Sequence, residues 1–530
     1  MFSTAILIGI YSYSVFSLGL LGFLNKQVIF VFTLFFLACL FLVYKNKIST
    51  KKIKKIGIPK IFLFILITQA LVNLIGALGP ELGFDALWYH LALPKIYLEN
   101  HKILHIPGGL LYYSDMPKLT EMLYASAISI SNEILAKVIH FSFGILVLVA
   151  IYKLSRKFLN EKFSILAVII FYSNLVVGWQ STTAYIDLAR TFFEIMALWG
   201  FLNWHESKSN SSAGRGWFIE SAVMTGLAIS TKLLSFSTLF TFLFLIVFLN
   251  RKFNKEVISK LVLYLCISLY VAMPWFLFSY LNTGNPIYPI FTNFVKVGFD
   301  MSIFNPLIFL KDTWNLFTHS ADPLSPVYII FLPLILFYFR KFNREIKIIL
   351  IYLLISLVAW YFTPQKGARY FLPYLPALSI VCAYVVAQLS KDKPLKYLSI
   401  SIIIFVSFLS ILYRGVANTK YLPVIFQKQT KEEFLTNHLN FNFGDFYDTD
   451  NYFKTHINNT DRVLLYGFHN LYYVNFPFID SSYVRKGDGF NYIATQNSKI
   501  PERFKFWKLI YSNKKTGVKL YSLGGQTWVH

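Results

Sequence analysis

The polar residues that could do chemistry gather in one stretch of an otherwise apolar chain, residues 79–133. This stretch combines carboxylates, imidazoles, a tyrosine and a lysine: Asp85, Tyr89, His90, His101, His105, Asp115, Lys118 and Glu121. Such a set can supply a general base and the cations that stabilise a negatively charged leaving group. The sequence therefore directs the search for an active site to residues 79–133.

Asp85 is the candidate general base of this stretch. It lies in segment 83–91, where apolar residues recur at i, i+3, i+4 and i+7, and this period predicts an amphipathic helix. Tyr89 follows Asp85 by four residues and would lie on the same face. A helix of this kind lies along a membrane interface, with its carboxylate directed to water or to a polar cavity. The alternative is that Asp85 only caps or solvates the start of the helix.

Three further charged residues each stand at the predicted outer end of an apolar segment. Asp187 begins one such segment, where the helix dipole alone favours a carboxylate. Lys232 lies between two apolar runs, and a lysine costs about 2.5–3.5 kcal/mol at mid-membrane, so it needs an anionic partner or an interfacial position. Arg369, followed by Tyr370, offers a planar fork that matches phosphate, or serves as an interfacial anchor.

Other kinds of site are disfavoured by the sequence. His101 and His105 have the i, i+4 spacing of a two-histidine metal site, but no glutamate follows the first histidine. No glycine-rich phosphate loop, serine nucleophile elbow or nucleotide fold is recognisable, which argues against kinases, hydrolases and dehydrogenases of the soluble type. The cysteines, all in apolar runs, predict no disulfide framework: Cys39, Cys266 and Cys382.

The amino-acid composition indicates the class of protein that carries these candidate residues. Of 530 residues, 56% are hydrophobic and 14% charged, with 50 Lys+Arg against 26 Asp+Glu. Soluble proteins carry about 25% charged residues. The positive charge could suit a nucleic-acid binder, but the apolar content does not, and it also excludes disorder. We therefore predict a polytopic membrane protein whose environment is the bilayer, with no nucleic-acid partner.

The apolar runs predict an all-α architecture of about thirteen transmembrane helices. A spanning helix needs ~20 mainly apolar residues, and several of the runs are shorter than that. The candidate spans are 3–22, 28–44, 60–78, 134–152, 163–179, 187–204, 217–231, 233–249, 257–279, 326–339, 347–362, 370–389 and 397–413. The first two read as a hairpin and not as a removed signal peptide.

Loop charge predicts the orientation. Basic residues concentrate in alternate connections, at 45–55, 153–162, 251–255, 340–347 and 391–396, with a milder loop around Lys208 and Arg215. The positive-inside rule makes these loops cytoplasmic. The N-terminus is then inside, whereas stretch 79–133 and the C-terminal tail are outside.

The composition changes after Tyr413. Residues 414–530 contain many Asn, Asp, Lys and Thr, and short β-like stretches occur at 463–467 and 518–521. We therefore expect three parts: a transmembrane hairpin with a basic loop at 1–58, a transmembrane catalytic domain at 59–413, and a small α/β extracytoplasmic domain at 414–530.

Six local patterns, in order, resemble the GT-C superfamily of integral-membrane glycosyltransferases, in particular the branch with protein O-mannosyltransferases and the lipid A aminoarabinose transferase. The patterns are Gly83-Phe84-Asp85 with Tyr89-His90, Asp115-Met116-Pro117-Lys118, Tyr185-Ile186-Asp187, Gly226 to Lys232, Thr283-Gly284-Asn285-Pro286, and Arg369 to Pro373. The resemblance covers roughly residues 60–415. The chain departs from the branch at Ala86, where a second acid is common, and at Asp-Met-Pro-Lys, where Glu-Lys-Pro-Pro is usual.

The resemblance implies a transferase that moves a sugar from a polyprenyl-phosphate donor to a lipid, glycan or protein acceptor at the outer face of a bacterial cytoplasmic membrane. Asp85 matches the catalytic carboxylate of an inverting displacement. Asp115 matches an acidic position that contacts a metal or orients the acceptor, so a divalent ion is the one cofactor that the resemblance allows. The remaining site residues are assigned to the donor phosphate or the substrate: Lys118, Lys232, Arg369, Tyr370, Tyr89, His90, Asp187 and Glu121.

Other functions remain open at this point. A polysaccharide polymerase or ligase would use a similar outer loop and polyprenyl-linked substrates. A transporter or flippase usually has repeated halves with broken helices at the midplane, and no repeat is visible here. A receptor or scaffold would leave the carboxylates of stretch 79–133 without a role.

Overall fold

The structure is a computed structural model, and it is mainly helical. It describes residues 1–45, 57–207, 211–250, 254–295, 301–321, 323–363, 366–389, 392–524 and 526–530. The α-helices before the C-terminal domain are α1 (Phe2–Leu20), α2 (Lys26–Lys45), α3 (Lys60–Ala77), α4 (Ala92–Glu99), α5 (Leu119–Ile130), α6 (Glu133–Ser155), α7 (Glu161–Tyr172), α8 (Leu175–Gln180), α9 (Asp187–Glu206), α10 (Ser212–Thr231), α11 (Phe236–Asn250), α12 (Lys255–Thr283), α13 (Pro306–Thr318), α14 (Val327–Tyr338), α15 (Arg344–Tyr361), α16 (Ala368–Phe371), α17 (Leu375–Gln388) and α18 (Lys393–Asn418).

Every predicted span falls mainly on helix in the structure, as expected for a chain that must satisfy its backbone hydrogen bonds internally in lipid. Span 163–179 is divided between α7 and α8. Within the described residues, seven helical segments are long and apolar enough to cross a membrane: Phe2–Leu20, Lys60–Ala77, Glu133–Ser155, Leu233–Asn250, Lys255–Thr283, Ala368–Gln388 and Lys393–Ile425. Others fall short for visible reasons. Helix α7, for example, has 12 residues, or about 18 Å, and ends at Tyr172, with Ser173 as its C-cap. The count of thirteen therefore stays a prediction.

The end of α1 lies against stretch 79–133. Just after α1, Leu24 donates its N–H to the carbonyl of His101 at 3.0 Å, and Ile103 donates to the carbonyl of Gly19 at 3.1 Å. The end of α1 and stretch 79–133 therefore lie together, and the side of the membrane on which they lie stays a prediction. The basic residues at 46–56, 251–252 and 391, and Lys208, lie outside the described residues.

The segment that carries Asp85 is wound differently from the prediction. Residues Ala86–His90 form a π-helical turn, closed by the N–H of Leu91 on the carbonyl of Ala86 at 2.9 Å. A regular α-helical stripe over 83–91 is therefore wrong. The rings of Phe84 and Trp88 instead lie 4.7 and 4.5 Å from the ring of His469 in the C-terminal domain. This face packs against protein and is not left free for a membrane interface.

The C-terminal domain contains a small mixed sheet. Its helices are α19 (Leu422–Ile425), α20 (Lys431–His438) and α21 (Tyr452–His456), and its strands are β1 (Val463–Tyr466), β2 (Phe478–Asp480), β3 (Gly489–Phe490), β4 (Tyr492–Gln496), β5 (Lys508–Asn513), β6 (Val518–Ser522) and β7 (Trp528–Val529). The strand order is β2-β1-β4-β6-β5, with β1 parallel to β2 and β4, and β3 pairs with β7. The two predicted β-stretches correspond to β1 and β6. Helix α18 continues past the predicted boundary to Asn418.

Stretch 79–133 is the surface on which this domain docks. The partly buried ammonium of Lys95 donates to the carbonyls of Tyr472, at 3.0 Å, and Val474. The N–H of Tyr472 donates to the carbonyl of Leu87 at 3.1 Å. Because the π-turn shifts its own hydrogen bonds by one residue, the domain supplies a donor to the segment that carries Asp85.

Candidate active site

Four charged residues from distant parts of the chain meet in one group, which we call the charged cluster: Asp85, Asp187, Lys232 and Arg369. The Arg369 guanidinium lies 2.7 Å from a carboxylate oxygen of Asp85 and 3.7 Å from one of Asp187. The Lys232 ammonium lies 2.7 Å from the other oxygen of Asp187. The convergence expected from topology is therefore observed, and it gives Lys232 the anionic partner that its apolar surroundings require.

Helix ends deliver the members of the cluster. Asp187 is the first residue of α9, and Lys232 follows the last residue of α10 in extended backbone. His140 supports the start of α9, because its Nε2 accepts the N–H of Leu188 at 3.1 Å while its Nδ1 lies 2.8 Å from the carbonyl of Thr183. Arg369 lies in the short helix α16. The cluster thus forms where several helices end.

Glu81 positions Asp85, and the sequence reasoning missed it. One Glu81 oxygen accepts the N–H of Gly83 at 2.7 Å, and the other accepts the N–H of Ala184 at 2.6 Å. Burial raises the pKa of Glu81, and these hydrogen bonds together with Lys137 oppose the shift. Glu81 therefore joins the turn before Asp85 to the turn before Asp187. The sequence offered one indication of this role, since Glu81 lies two residues before Gly83, in the segment that leads to Asp85.

Lys137 is a second missed residue. It is fully buried in α6, and it donates to the carbonyls of Gly79 at 2.7 Å and Pro80 at 3.1 Å. A lysine in the apolar sequence of a spanning helix is costly without partners, so its position alone could have marked it. Lys137 holds the start of stretch 79–133 against α6.

Tyrosines enclose the charged cluster. The rings of Tyr185 and Tyr370 each lie 5.0 Å from the Arg369 guanidinium, which is cation–π range. Tyr89 stacks on Tyr113 at 3.9 Å, and burial raises the pKa of Tyr89 well above its usual value. The Tyr185 hydroxyl accepts the N–H of Asp85 at 3.2 Å. The predicted contacts Tyr89 and Tyr370 therefore lie beside the cluster as neutral aromatic walls.

His90 and Glu121 form a buried pair behind these tyrosines. His90 Nδ1 lies 2.8 Å from Glu121 Oε1, and both side chains are almost fully buried. The His90 ring is 4.2 Å from Tyr89 and 5.8 Å from Tyr185. This placement suits support of the tyrosine wall better than direct contact with a substrate.

Lys118 lies apart from the contacts of the charged cluster. It is buried and donates to the carbonyls of Tyr113 and of Met116, the latter at 3.1 Å. Burial lowers the pKa of Lys118 to about 8, opposed by the carboxylates of Glu121 and Asp115. The ammonium thus braces the loop between Tyr113 and α5, and its predicted role at the donor phosphate has no geometric support from these contacts.

Asp115 was the expected metal contact. Its Oδ2 lies 2.8 Å from His105 Nδ1 and accepts the Ser114 hydroxyl at 2.7 Å, and its buried Oδ1 has no partner within the described part of the chain. No group of three or more His, Cys, Asp or Glu side chains in the described ranges is arranged to hold a metal ion. Mg²⁺ is usually held by one or two carboxylates together with substrate phosphates, so a divalent ion at Asp115 stays a prediction.

A buried network lies one turn below the cluster, and it too was missed. Arg190 pairs with Glu194 at 2.6 Å, and both side chains are almost fully buried. Glu194 accepts the hydroxyl of Ser235 at 2.9 Å, and Arg190 reaches the hydroxyl of Tyr374 at 3.5 Å. Ser235 follows Lys232 closely and Tyr374 follows Arg369. The pair therefore ties together the segments that carry both cations of the cluster.

Three of the four side chains of the charged cluster are accessible to a ligand. The side chains of Asp85, Arg369 and Lys232 are 15%, 16% and 14% exposed, whereas Asp187 is 1% exposed. A ligand would thus meet one carboxylate and two cations, with Asp187 as the buried anchor of the cations. A carboxylate opposite cations can take a proton while a phosphate leaves.

Two comparisons with known proteins bear on this arrangement. Residues 122–278 match the family described as dolichyl-phosphate-mannose-protein mannosyltransferase. In solved structures, ArnT from Cupriavidus metallidurans in the apo state is 11% identical, with 87% of this chain and 97% of that chain covered and a TM-score of 0.57. The same protein bound to undecaprenyl phosphate is 12% identical, with the same coverage and a TM-score of 0.56. No curated protein matches the sequence significantly.

These findings confirm the resemblance to GT-C glycosyltransferases and the predicted fold, a mainly helical membrane protein with a small C-terminal sheet domain. The family match also confirms the prediction of a membrane glycosyltransferase. It includes Asp187 and Lys232, whereas Asp85, Lys118 and Arg369 lie outside the matched segment.

Proposed function

We propose that this membrane glycosyltransferase takes a sugar from a polyprenyl-phosphate donor and transfers it, with inversion, to a lipid, glycan or protein acceptor at the outer face of a bacterial cytoplasmic membrane. The observation that carries the proposal is the charged cluster, in which Arg369 pairs with Asp85 and Lys232 pairs with the neighbouring Asp187. The solved ArnT structure with undecaprenyl phosphate, a polyprenyl phosphate, supports this donor class.

Asp85 acts as the general base in the proposed reaction. It takes the proton of an acceptor hydroxyl or amine, whose lone pair forms a bond to the anomeric carbon. The bond between that carbon and the phosphate oxygen breaks, and the oxygen leaves with the electron pair. Lys232 and Arg369 stabilise the charge that develops on the phosphate. The products are the glycosylated acceptor and a polyprenyl phosphate.

The ion pair between Asp85 and Arg369 adds an ordering of events. At 2.7 Å, Arg369 occupies the carboxylate that must accept the proton. A donor phosphate that engages Arg369 competes with this pair and releases Asp85. The base is then free mainly when the donor is bound, which limits attack by water or acceptor at an incomplete site.

Other predicted site residues line or support the site in this proposal. Tyr89 and Tyr370 line the sugar and phosphate region, Asp187 anchors the two cations, and the pair of His90 and Glu121 supports the tyrosine wall.

Reconstituted protein tests the assignment. With polyprenyl-phosphate sugars in nanodiscs, Asp85→Asn should lower donor consumption by about 10²-fold or more, because general base catalysis contributes 10²–10⁴-fold. Asp312→Asn is the control, since Asp312 is a partly exposed acid of α13 that pairs with Lys366. Equal turnover in wild type and Asp85→Asn would refute the role of Asp85. The anomeric configuration of the product, measured by NMR, tests inversion.

A further inference from the structure

We propose that a second site, at the seam between stretch 79–133 and the C-terminal domain, binds the acceptor, and that this acceptor is an acidic glycan; the proposal rests on the glycosyltransferase function proposed above. A cleft of about 790 Å³ opens at this seam. We call it the seam cleft, and the residues that line it include His105, Asn475, Tyr483, Arg485 and Asp488. Its volume falls in the range of about 300–1,000 Å³ that is typical of ligand sites.

The walls of the seam cleft come from both parts of the protein. One wall is the end of α4 with residues 104–107, and the other is formed by residues 475–488 around β2. The docking contact of Lys95 with Tyr472 and Val474 joins these walls beside the cleft. The cleft is therefore a fixed consequence of domain docking, and it would not exist on either part alone.

The lining combines flat rings with amides. Phe476, Phe478 and Tyr483 supply aromatic surface, and Asn100 and Asn475 supply side-chain amides. A sugar presents apolar C–H faces and a rim of hydroxyls, so rings that cover a face and amides that both donate and accept hydrogen bonds match it. Asn475 Oδ1 already accepts from Lys95 at 3.0 Å, and Asn100 Nδ2 donates to the carbonyl of Ile96 at 2.8 Å. The donor Nδ2 of Asn475 and the acceptor Oδ1 of Asn100 are therefore the amide groups offered to a ligand.

The charges of the seam cleft favour an anionic ligand. Asp488 is already engaged by Arg462 at 3.4 Å and by the backbone N–H of Arg485 at 2.7 Å. Glu99 lies 3.7 Å from Lys95. Within the described ranges no carboxylate lies within ion-pair distance of the Arg485 side chain. Arg485 is thus available for a carboxylate or phosphate group, which its planar fork suits.

The seam cleft belongs to the same stretch as the proposed base. His105 lines the cleft, and its Nδ1 contacts the buried Asp115, which follows the tyrosine stack of Tyr113 and Tyr89. Side-chain contacts and chain neighbours thus connect the cleft to Tyr89, which follows Asp85 by four residues. An acceptor chain held at the seam is held on the element that carries Asp85.

Binding by the full-length protein in detergent, without donor, tests the proposal. The probes are tetragalacturonate, which carries carboxylates, and maltotetraose, which is neutral, both measured by isothermal titration calorimetry. Tetragalacturonate should bind more tightly, and Arg485→Ala and Tyr483→Ala should each weaken it about tenfold. Tyr483→Phe should keep most of the affinity, because it retains the ring. Arg503→Ala is the control, since Arg503 stacks on Phe504 outside the cleft lining.

Three outcomes would overturn the seam site: no binding of tetragalacturonate at millimolar concentration, equal binding of the neutral probe, or affinity unchanged in Arg485→Ala and Tyr483→Ala. Donor consumption by Asp85→Asn is measured separately. Normal consumption there, with cleft binding intact, would refute the catalytic proposal alone; lost consumption without cleft binding would refute the seam site alone.

Discussion

The pair of Lys232 and Asp187 provides a test of the charged cluster that needs no substrate. In Lys232→Met the side-chain volume is nearly kept, but the ammonium at 2.7 Å from Asp187 is lost. Asp187 is 1% exposed, so its carboxylate cannot turn to water for compensation. Arg369 remains as a partner at 3.7 Å.

The size of the effect follows from burial. Removing one partner of a buried ion pair costs about 3–5 kcal/mol, because the other charge stays buried and uncompensated. Since Arg369 still lies near Asp187, we expect the lower end, about 3 kcal/mol of unfolding free energy. The double variant with Asp187→Asn removes the orphaned charge, so its loss should be less than the sum of the single losses by about 2 kcal/mol.

Unfolding by SDS titration in mixed micelles, followed by tryptophan fluorescence, measures these free energies. The control cycle uses Lys260 and Glu256, which also lie 2.7 Å apart, but with Glu256 57% exposed. That pair should show no resolvable coupling, because solvent screens it. If the two single effects of Lys232→Met and Asp187→Asn add within about 0.5 kcal/mol, the pair is not energetically coupled and the cluster geometry is refuted.

Two further perturbations test other parts of the site. Burial lowers the pKa of Lys118 to about 8, from an ordinary value of 10.5, so between these pH values the unfolded chain binds more protons and the free energy of unfolding should rise with pH. Lys118→Met should lack this rise when unfolding is measured against pH, and an identical slope in both proteins would contradict the burial of Lys118. Lys95→Met removes the docking contacts to Tyr472 and Val474, so the amide hydrogen exchange of residues 86–91 should accelerate about tenfold or more. The control Lys102→Met changes an exposed residue of the same stretch and should leave this exchange unaltered, whereas unchanged exchange in Lys95→Met would show that docking does not hold the π-turn.

Local pattern accounts for the helices and for the two recognised β-stretches. It fails at segment 83–91, where the expected regular helix is a π-turn. The hydrophobic period of this segment does not predict the π-turn, because the turn is accompanied by contacts with His469 and Tyr472, which lie far along the chain. Lys118 is a similar case: its sequence position beside Pro117 resembled a phosphate contact, whereas backbone carbonyls of its own loop hold its ammonium.

The sequence by itself determined the membrane class and the helical segments, because the hydrophobicity of each segment acts locally against the bilayer. Loop charge predicted the face on which to search. It also marked Asp85, Asp187, Lys232 and Arg369 as separate candidates. Only the tertiary structure decided that these four share ion pairs, and that Glu81 and the pair of Arg190 and Glu194 hold them in place. Pairing between distant residues depends on which helix ends meet, and that is a property of packing that no local pattern encodes.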